Sequence, residues 1–371
     1  MWIAVIWIVA QALSPPSPKA ILRGDATIAS PAHPVCVHTR LIDEVEEWKI
    51  QKTLDMARDM GVTTIVEFFP WAYIESTEGL FDWSQTDRIM LHAHNQDIRV
   101  IARLGLVPEW ARQSGNENHT SNYLTPEYFD EFAAFAVAFV ERYGDTVEDI
   151  IIWNEPNLAF EWGFQDVDPM MYVELLQTVY PMVKAAQPDI HVLAGALAPT
   201  LEEATSQSAM NDLDYLRAIY EAGGDDYFDA LAVHTYGFTS PAGTAPSQHV
   251  LNFRRAELLR EIMETYDDTA TRVFITETGW NDHPRAVNSV TPAQRSQYTV
   301  DAYTYAEANW PWLQAMCIWV FRYPQTTYSQ RDNFALVNTA FVPKPIYFAL
   351  QAYALDQNQD DELWLPPPTN D

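Results

Sequence analysis

Two glutamates stand where a short apolar run gives way to a polar turn: Glu155 in Trp153-Asn154-Glu155-Pro156-Asn157 and Glu277 in Thr276-Glu277-Thr278-Gly279-Trp280. A carboxylate directly after a buried strand is costly unless it is paired or used. Two of them facing one cavity can share the work of breaking a glycosidic bond. One stays protonated and donates to the leaving oxygen, while the other stays ionised and attacks or activates water. Comparable positions carry His234 and Tyr236, two residues apart and so on one face of a strand, and Trp319 in Trp319-Val320-Phe321-Arg322. The nine histidines show no H-E-x-x-H or other compact ligand spacing, so this chemistry calls for no metal and no cofactor.

Such residues need a frame, and the hydrophobic pattern supplies one. Short apolar, β-branched runs occur at 34–37, 63–66, 99–102, 150–153, 191–194, 230–233, 273–276 and 315–319. Between them lie stretches with helical spacing of apolar residues: 44–60, 83–96, 126–143, 168–186, 213–222, 249–266 and 291–309. Thr125-Pro126 and Thr291-Pro292 read as helix starts with proline in the first turn. Eight strands alternating with helices predict a parallel sheet, and the count fits an α/β fold of the (β/α)8 TIM-barrel type better than an open doubly wound sheet. No G-x-G-x-x-G follows a strand, which argues against a Rossmann domain. In a barrel, strands 4 and 7 lie nearly opposite, so Glu155 and Glu277 would face each other across the mouth.

The chain has 371 residues and a formal net charge of −29, from 22 Lys and Arg against 51 Asp and Glu. That charge, with no basic run to offset it, excludes nucleic acid as a partner and points to a soluble monomer acting on a neutral substrate. Residues 1–30 hold an apolar run from Trp2 to Leu13 and a Pro-rich lead-in. The run is too short to span a membrane stably and resembles the core of a secretory signal, although no basic residue precedes it. The expected location is therefore secreted, cell-surface or periplasmic. The barrel is assigned to 31–356 as a single domain, and the acidic, Pro-rich 357–371 to a loose tail. Cys36 and Cys317 fall on strands 1 and 8, neighbours in a closed barrel; a disulfide is one reading, but paired strands seldom give the required geometry, which favours two buried thiols. Asn118-His119-Thr120 is a glycosylation sequon, meaningful only in a eukaryotic secretory host.

The motifs around Glu155 and Glu277, together with Trp71, Ile74-Glu75, Gly79 and Phe81-Asp82-Trp83 after strand 2, resemble the clan A retaining (β/α)8 glycoside hydrolases across the whole barrel. Asn333-Phe334-Ala335-Leu336-Val337 and Pro343-Lys344-Pro345 bring the chain nearest to family 39-like and cellulase-type members. The resemblance implies a carbohydrate substrate, Glu155 as acid/base and Glu277 as nucleophile, with carboxyls about 5 to 5.5 Å apart. It further implies that Asn154 contacts the sugar 2-hydroxyl, Tyr236 hydrogen-bonds the nucleophile, His234 steadies the acid/base or the sugar, and Trp319 floors the pocket. Trp71 joins the expected substrate contacts; Trp71, Trp110, Trp162 and Trp280 are each sugar platforms or loop packing. One departure stands out: many clan members carry an Arg on strand 2, where this chain has Ile65-Val66-Glu67-Phe68-Phe69, leaving Arg103 or Arg322 to support Glu277. The competing readings are a transglycosylase using the same residues and a carbohydrate-binding pseudoenzyme.

Overall fold

Eight parallel strands, β1 (Val35–His38), β2 (Val62–Pro70), β3 (Arg99–Gly105), β4 (Asp149–Ile152), β5 (His191–Leu197), β6 (Ala230–Tyr236), β7 (Arg272–Gly279) and β8 (Leu313–Ile318), close in sequence order into one barrel. The computed structural model describes residues 31–112, 120–203 and 206–356. The amino-terminal apolar run, Asn118 of the sequon and the acidic tail lie outside the described residues.

Nine helices are present among the described residues: α1 (Glu47–Asp59), the single turn α2 (Trp71–Ile74), α3 (Ser84–Asn95), α4 (Phe129–Tyr143), α5 (Pro169–Ala186), α6 (Asp212–Glu221), α7 (Ala256–Thr265), α8 (Pro292–Asn309) and α9 (Pro345–Ala354). The local chemistry explains their starts and faces. Thr291 and Gln294 form a reciprocal capping box at α8, and the Asp168 carboxylate accepts from the Met170 and Met171 amides before Pro169 opens α5. Thr125-Pro126 starts a 3-10 turn, and α4 begins three residues later at Phe129. Its buried Phe129, Phe132, Ala133, Phe135, Ala136, Phe139 and Val140 make a helical stripe against the barrel. The last helix, α9, lies outside the periodic segments read from the sequence. It packs so tightly that a Cβ at Gly61 (φ +97°) would fall 2.4 Å from the Ala354 Cβ.

Inside the barrel, Cys36, Val66, Ile101, Ile151, Leu193, Ala232, Phe274 and Cys317 fill the interior below the mouth. The two cysteines correct the expectation of free thiols: they form a disulfide. β1 and β8 pair through just two positions, Cys36 with Cys317 and Val37 with Ile318, and both cysteines face inward with Cα atoms 4.3 Å apart. Two directly opposed side chains on one face of neighbouring strands bring their Cβ atoms close enough to bridge. The bond joins the first and last strands across 281 residues of sequence, closing the barrel covalently.

Closure of so long a loop constrains the unfolded chain, so replacing both cysteines by serine should cost roughly 2 to 5 kcal/mol. Denaturant unfolding measures this, and thiol titration of the unreduced, denatured protein should find no free thiol. Two titratable thiols would contradict the pairing.

Candidate active site

The mouth of the barrel is built from strand ends whose backbones are bent to aim particular side chains inward. After β4 the chain turns sharply: Trp153 and Glu155 have positive φ (83° and 45°), a region that non-glycine residues adopt only when surroundings hold them. The surroundings do. The Trp153 amide donates to the Leu104 carbonyl at 2.9 Å and the Glu155 amide to that of Ala196 at 2.8 Å. Trp153 buries its ring beside Phe132 and Trp162, and the buried Asn157 side chain ties the turn to Ala198 and Met210.

Glu277 reaches the cavity by a different device. Phe274 faces the barrel interior, so strict alternation would send a residue three positions later outward. The register between β6 and β7 slips, however, from Val233 opposite Ile275 to His234 opposite Glu277. This extra residue turns Glu277 inward with the side chains of β6.

There the two carboxyls meet. Oxygen atoms of Glu155 and Glu277 and a ring nitrogen of His234 all lie within 4.8 Å of one another. His234 Nδ1 is 2.8 Å from Glu155 Oε1 and 3.7 Å from Glu277 Oε2. The Tyr236 hydroxyl donates to Glu277 Oε2 at 2.7 Å. Arg103, on β3, directs one Nη1 to Asn154 Oδ1 at 2.6 Å and to Glu277 Oε1 at 3.4 Å. Its guanidinium lies 4.6 Å over the ring of Phe68, which pairs with it in register on β2. The cation absent from strand 2 is therefore supplied from the next strand, through an aromatic residue that supports it. Arg322 plays no such part: it is buried against Glu44 and stacks on Phe341.

The histidines of the mouth carry opposite tendencies. Burial pulls His234 down, but the charge of Glu277 and its bond to Glu155 outweigh that, and its pKa is raised above 6.5. His38, at the end of β1, is held well below 6.5 by burial and by the nearby Arg103. Its Nδ1 meets the Thr39 carbonyl at 2.9 Å, and a carbonyl can only accept, so Nδ1 carries the hydrogen and Nε2 a lone pair. That Nε2 is buried without a partner, 3.7 Å from Glu277 Oε1. Trp319, partly exposed, contacts His38 edge-on at 4.6 Å and donates from Nε1 to Tyr323 at 3.0 Å.

Most residues singled out in the sequence thus converge: Asn154, Glu155, His234, Tyr236, Glu277 and Trp319. Trp71 does not. It is fully buried in α2, donates to Glu75 at 2.6 Å and packs on Trp110, Phe132 and Phe135, leaving no face for a ligand. Trp162 and Trp280 are also buried in packing. The sequence reading missed His38, which the same strand-end rule applied to strand 1 would have found, two residues after Cys36 on the same face. It also missed Glu161, a loop residue with no strand-end signal, whose carboxyl lies close enough to feel Glu155, Arg103 and Glu277.

Glu155, His234 and Glu277 are a donor set that a divalent ion could bridge. Their oxygens and nitrogen are already engaged, though, His234 with Glu155 and Tyr236 with Glu277, so an ion would have to displace direct hydrogen bonds.

No protein-family model matches the sequence, and no curated protein does. Solved structures do match in fold. A family 39 glycoside hydrolase from the gut symbiont Bacteroides cellulosilyticus WH2 is 22% identical, with a TM-score of 0.68 over 87% of this chain and 63% of that one. A monomeric β-xylosidase from Caulobacter crescentus CB15 is 22% identical, with a TM-score of 0.61 over 87% of this chain and 69% of that one. A psychrophilic family 10 endo-β-1,4-xylanase is 15% identical, with a TM-score of 0.57 over 85% of this chain and 95% of that one. The (β/α)8 barrel is the fold these enzymes share with the chain. The chain spans less than two thirds of the first one's length, 63%. No helix among the described residues is long and apolar enough to cross a membrane.

The site's electrostatics make a direct prediction for histidine-labelled protein observed by NMR. His38 should remain the neutral Nδ1–H tautomer down to well below pH 6.5, and His234 should lose its proton only above 6.5. A His38 signal titrating at or above 6.5 would contradict the assignment.

Proposed function

We propose that the protein is a retaining glycoside hydrolase that cleaves a β-linked saccharide by double displacement. The observation that carries this reading is the approach of the carboxyls: one oxygen of Glu155 lies within 4.8 Å of one oxygen of Glu277, nearer the roughly 5 to 5.5 Å of a retaining pair than the gap of an inverting one. An inverting pair needs a wider gap, roughly 6.5 to 9.5 Å.

In the first step Glu277 attacks the anomeric carbon from one face while Glu155 protonates the leaving oxygen. Arg103 and the Tyr236 hydroxyl face the oxygens of Glu277 and suit it to the anionic role. The glycosyl-enzyme ester is then hydrolysed by a water that Glu155 deprotonates, with His234 at 2.8 Å holding that carboxyl in place through both steps. Asn154, its Oδ1 fixed by Arg103, presents its amide N–H groups to the sugar. Trp319 offers a partly exposed indole as a stacking surface.

The motive for a non-catalytic reading was the missing strand 2 cation, and Arg103 takes that place. The relatives in fold include a β-xylosidase and an endo-β-1,4-xylanase, so a β-linked xylose saccharide is a substrate worth testing first. The buried disulfide favours folding in an oxidising compartment and supports an exported enzyme.

Replacing Glu277 by glycine should lower turnover of an activated aryl β-glycoside by a factor on the order of 1,000 or more. Azide should then restore activity and yield the α-glycosyl azide; turnover like the unaltered protein's would end the nucleophile assignment. Chelator should leave activity unchanged, and loss of activity restored by a divalent ion would instead favour a metal bound by Glu155, His234 and Glu277.

A further inference from the structure

One wholly buried carboxyl, Glu67 on β2, has no part in the steps above. Three donors from the turn after β1 converge on it. The Thr39 hydroxyl at 2.6 Å and the Leu41 amide at 2.9 Å meet Oε2, and the Ile42 amide at 3.2 Å meets Oε1, so both oxygens serve as acceptors. Burying such a group costs more than an ordinary turn requires, and the turn it holds lies against the nucleophile.

The link runs through His38. The Thr39 amide and hydroxyl also reach the Val66 carbonyl, at 2.8 and 3.2 Å, so the Thr39 peptide is fixed by β2 as well as by Glu67. Its carbonyl faces His38 Nδ1 at 2.9 Å. On the far side of the ring Nε2 is sealed from solvent, has no hydrogen-bond partner and lies 3.7 Å from Glu277 Oε1. A substrate does not reach that atom; the polar group it faces is the nucleophile.

Two neutral tautomers compete for this place. With the hydrogen on Nε2, the imidazole would donate to an anionic carboxylate, a stronger bond than one to a carbonyl. With the hydrogen on Nδ1, it donates to Thr39 and turns a lone pair on Glu277. The second arrangement holds where the Thr39 carbonyl cannot move away, which is what the Glu67 clasp ensures. Burial, and then the charge of Arg103, keep the ring from carrying both hydrogens.

The consequence falls on Glu277 Oε1. Oε2 already accepts from Tyr236 at 2.7 Å, whereas Oε1 has Arg103 at 3.4 Å on one side and the lone pair of His38 on another. The same Arg103 nitrogen holds Asn154 Oδ1 at 2.6 Å, so the asparagine amide and the open carboxylate oxygen flank one guanidinium. A hydroxyl placed between them accepts from the Asn154 N–H and donates to Oε1.

We propose, building on the glycosidase reading, that Glu67 is a positioning residue: through the Thr39 carbonyl it locks His38 as the Nδ1–H tautomer and so keeps Glu277 Oε1 open to the C2 hydroxyl of the sugar. A histidine N–H at that oxygen would satisfy it before substrate arrives. With a lone pair there instead, the hydrogen bond forms only with the sugar and is free to strengthen as charge shifts in the transition state.

Two readouts test this. The tautomer comes from 15N shifts of histidine-labelled protein: Glu67→Gln, which has one acceptor oxygen where Glu67 has two, should move His38 toward Nε2–H. The kinetic readout is kcat/KM for 4-nitrophenyl β-glucoside and β-xyloside divided by that of their 2-deoxy counterparts, a ratio that cancels general loss of activity. His38→Gln, whose amide stands near the place of Nε2 and offers its N–H to Glu277, should cut the ratio about tenfold, while His38→Asn, which bonds Thr39 and stops short of Glu277, should change it less than about twofold. Folding of each variant is checked by thermal denaturation, and the His38 pair decides the matter if Glu67→Gln does not fold. His38 found as Nε2–H in the unaltered protein overturns the lock, and an unchanged tautomer in folded Glu67→Gln removes Glu67 from it. Equal ratios in the two His38 variants overturn the link to the C2 hydroxyl. A folded protein that turns over none of these glycosides counts against the glycosidase reading, while the tautomer measurement still decides the lock.

Discussion

The structure is organised around an anionic side chain held inside the mouth of an apolar barrel. Glu277 is nearly buried, and such a charge persists only if the protein surrounds it with donors and counter-charge. Arg103 on β3 and, on β6, the Tyr236 hydroxyl and His234 do this from two strands, while His38 on β1 packs its Nε2 3.7 Å from the same carboxyl. Each is aimed by the geometry of its own strand: Arg103 by stacking on Phe68, Tyr236 and His234 by alternation on β6, and Glu277 itself by the slipped register on β7. The barrel is the means of bringing distant parts of the sequence to one carboxylate.

Closure of that barrel bears on the site through the same alternation. Cys36 and His38 lie two apart on β1, and Trp319 follows Cys317 by two at the end of β8, so the disulfide sits one layer beneath the His38–Trp319 contact. The seam with the fewest register pairs is the one that is covalently joined, directly below side chains that line the cleft. Stability and positioning are thus served by one bond.

How far the sequence disclosed this depends on whether local rules suffice. The eight strands were legible because each is a short apolar run between amphipathic helices, and Glu155 was legible because a polar Asn-Glu-Pro follows such a run. Glu277 was legible as a strand-end carboxylate facing the mouth, but the device that turns it there was not, since only pairing with β6 reveals the extra residue. The disulfide depended on exact register between strands 281 residues apart, and Trp71 misled because a single helical turn after β2 rotates its ring toward α4. Glu161 lies on a loop, where position is fixed by contacts with Trp162, Gly163 and Asn122 that no periodicity encodes. Arg103 shows compensation of a kind a motif search misses, the cation having moved one strand along.

The central claim is that Glu277 bonds covalently to the sugar during each turnover. Incubating the protein with a 2-deoxy-2-fluoro analogue of its fastest aryl β-glycoside, which slows release of the intermediate, and mapping the digested protein by mass spectrometry tests this directly. The account predicts one sugar attached to the peptide containing Glu277. An adduct on another residue would contradict it, as would inactivation that leaves the Glu277 peptide unmodified.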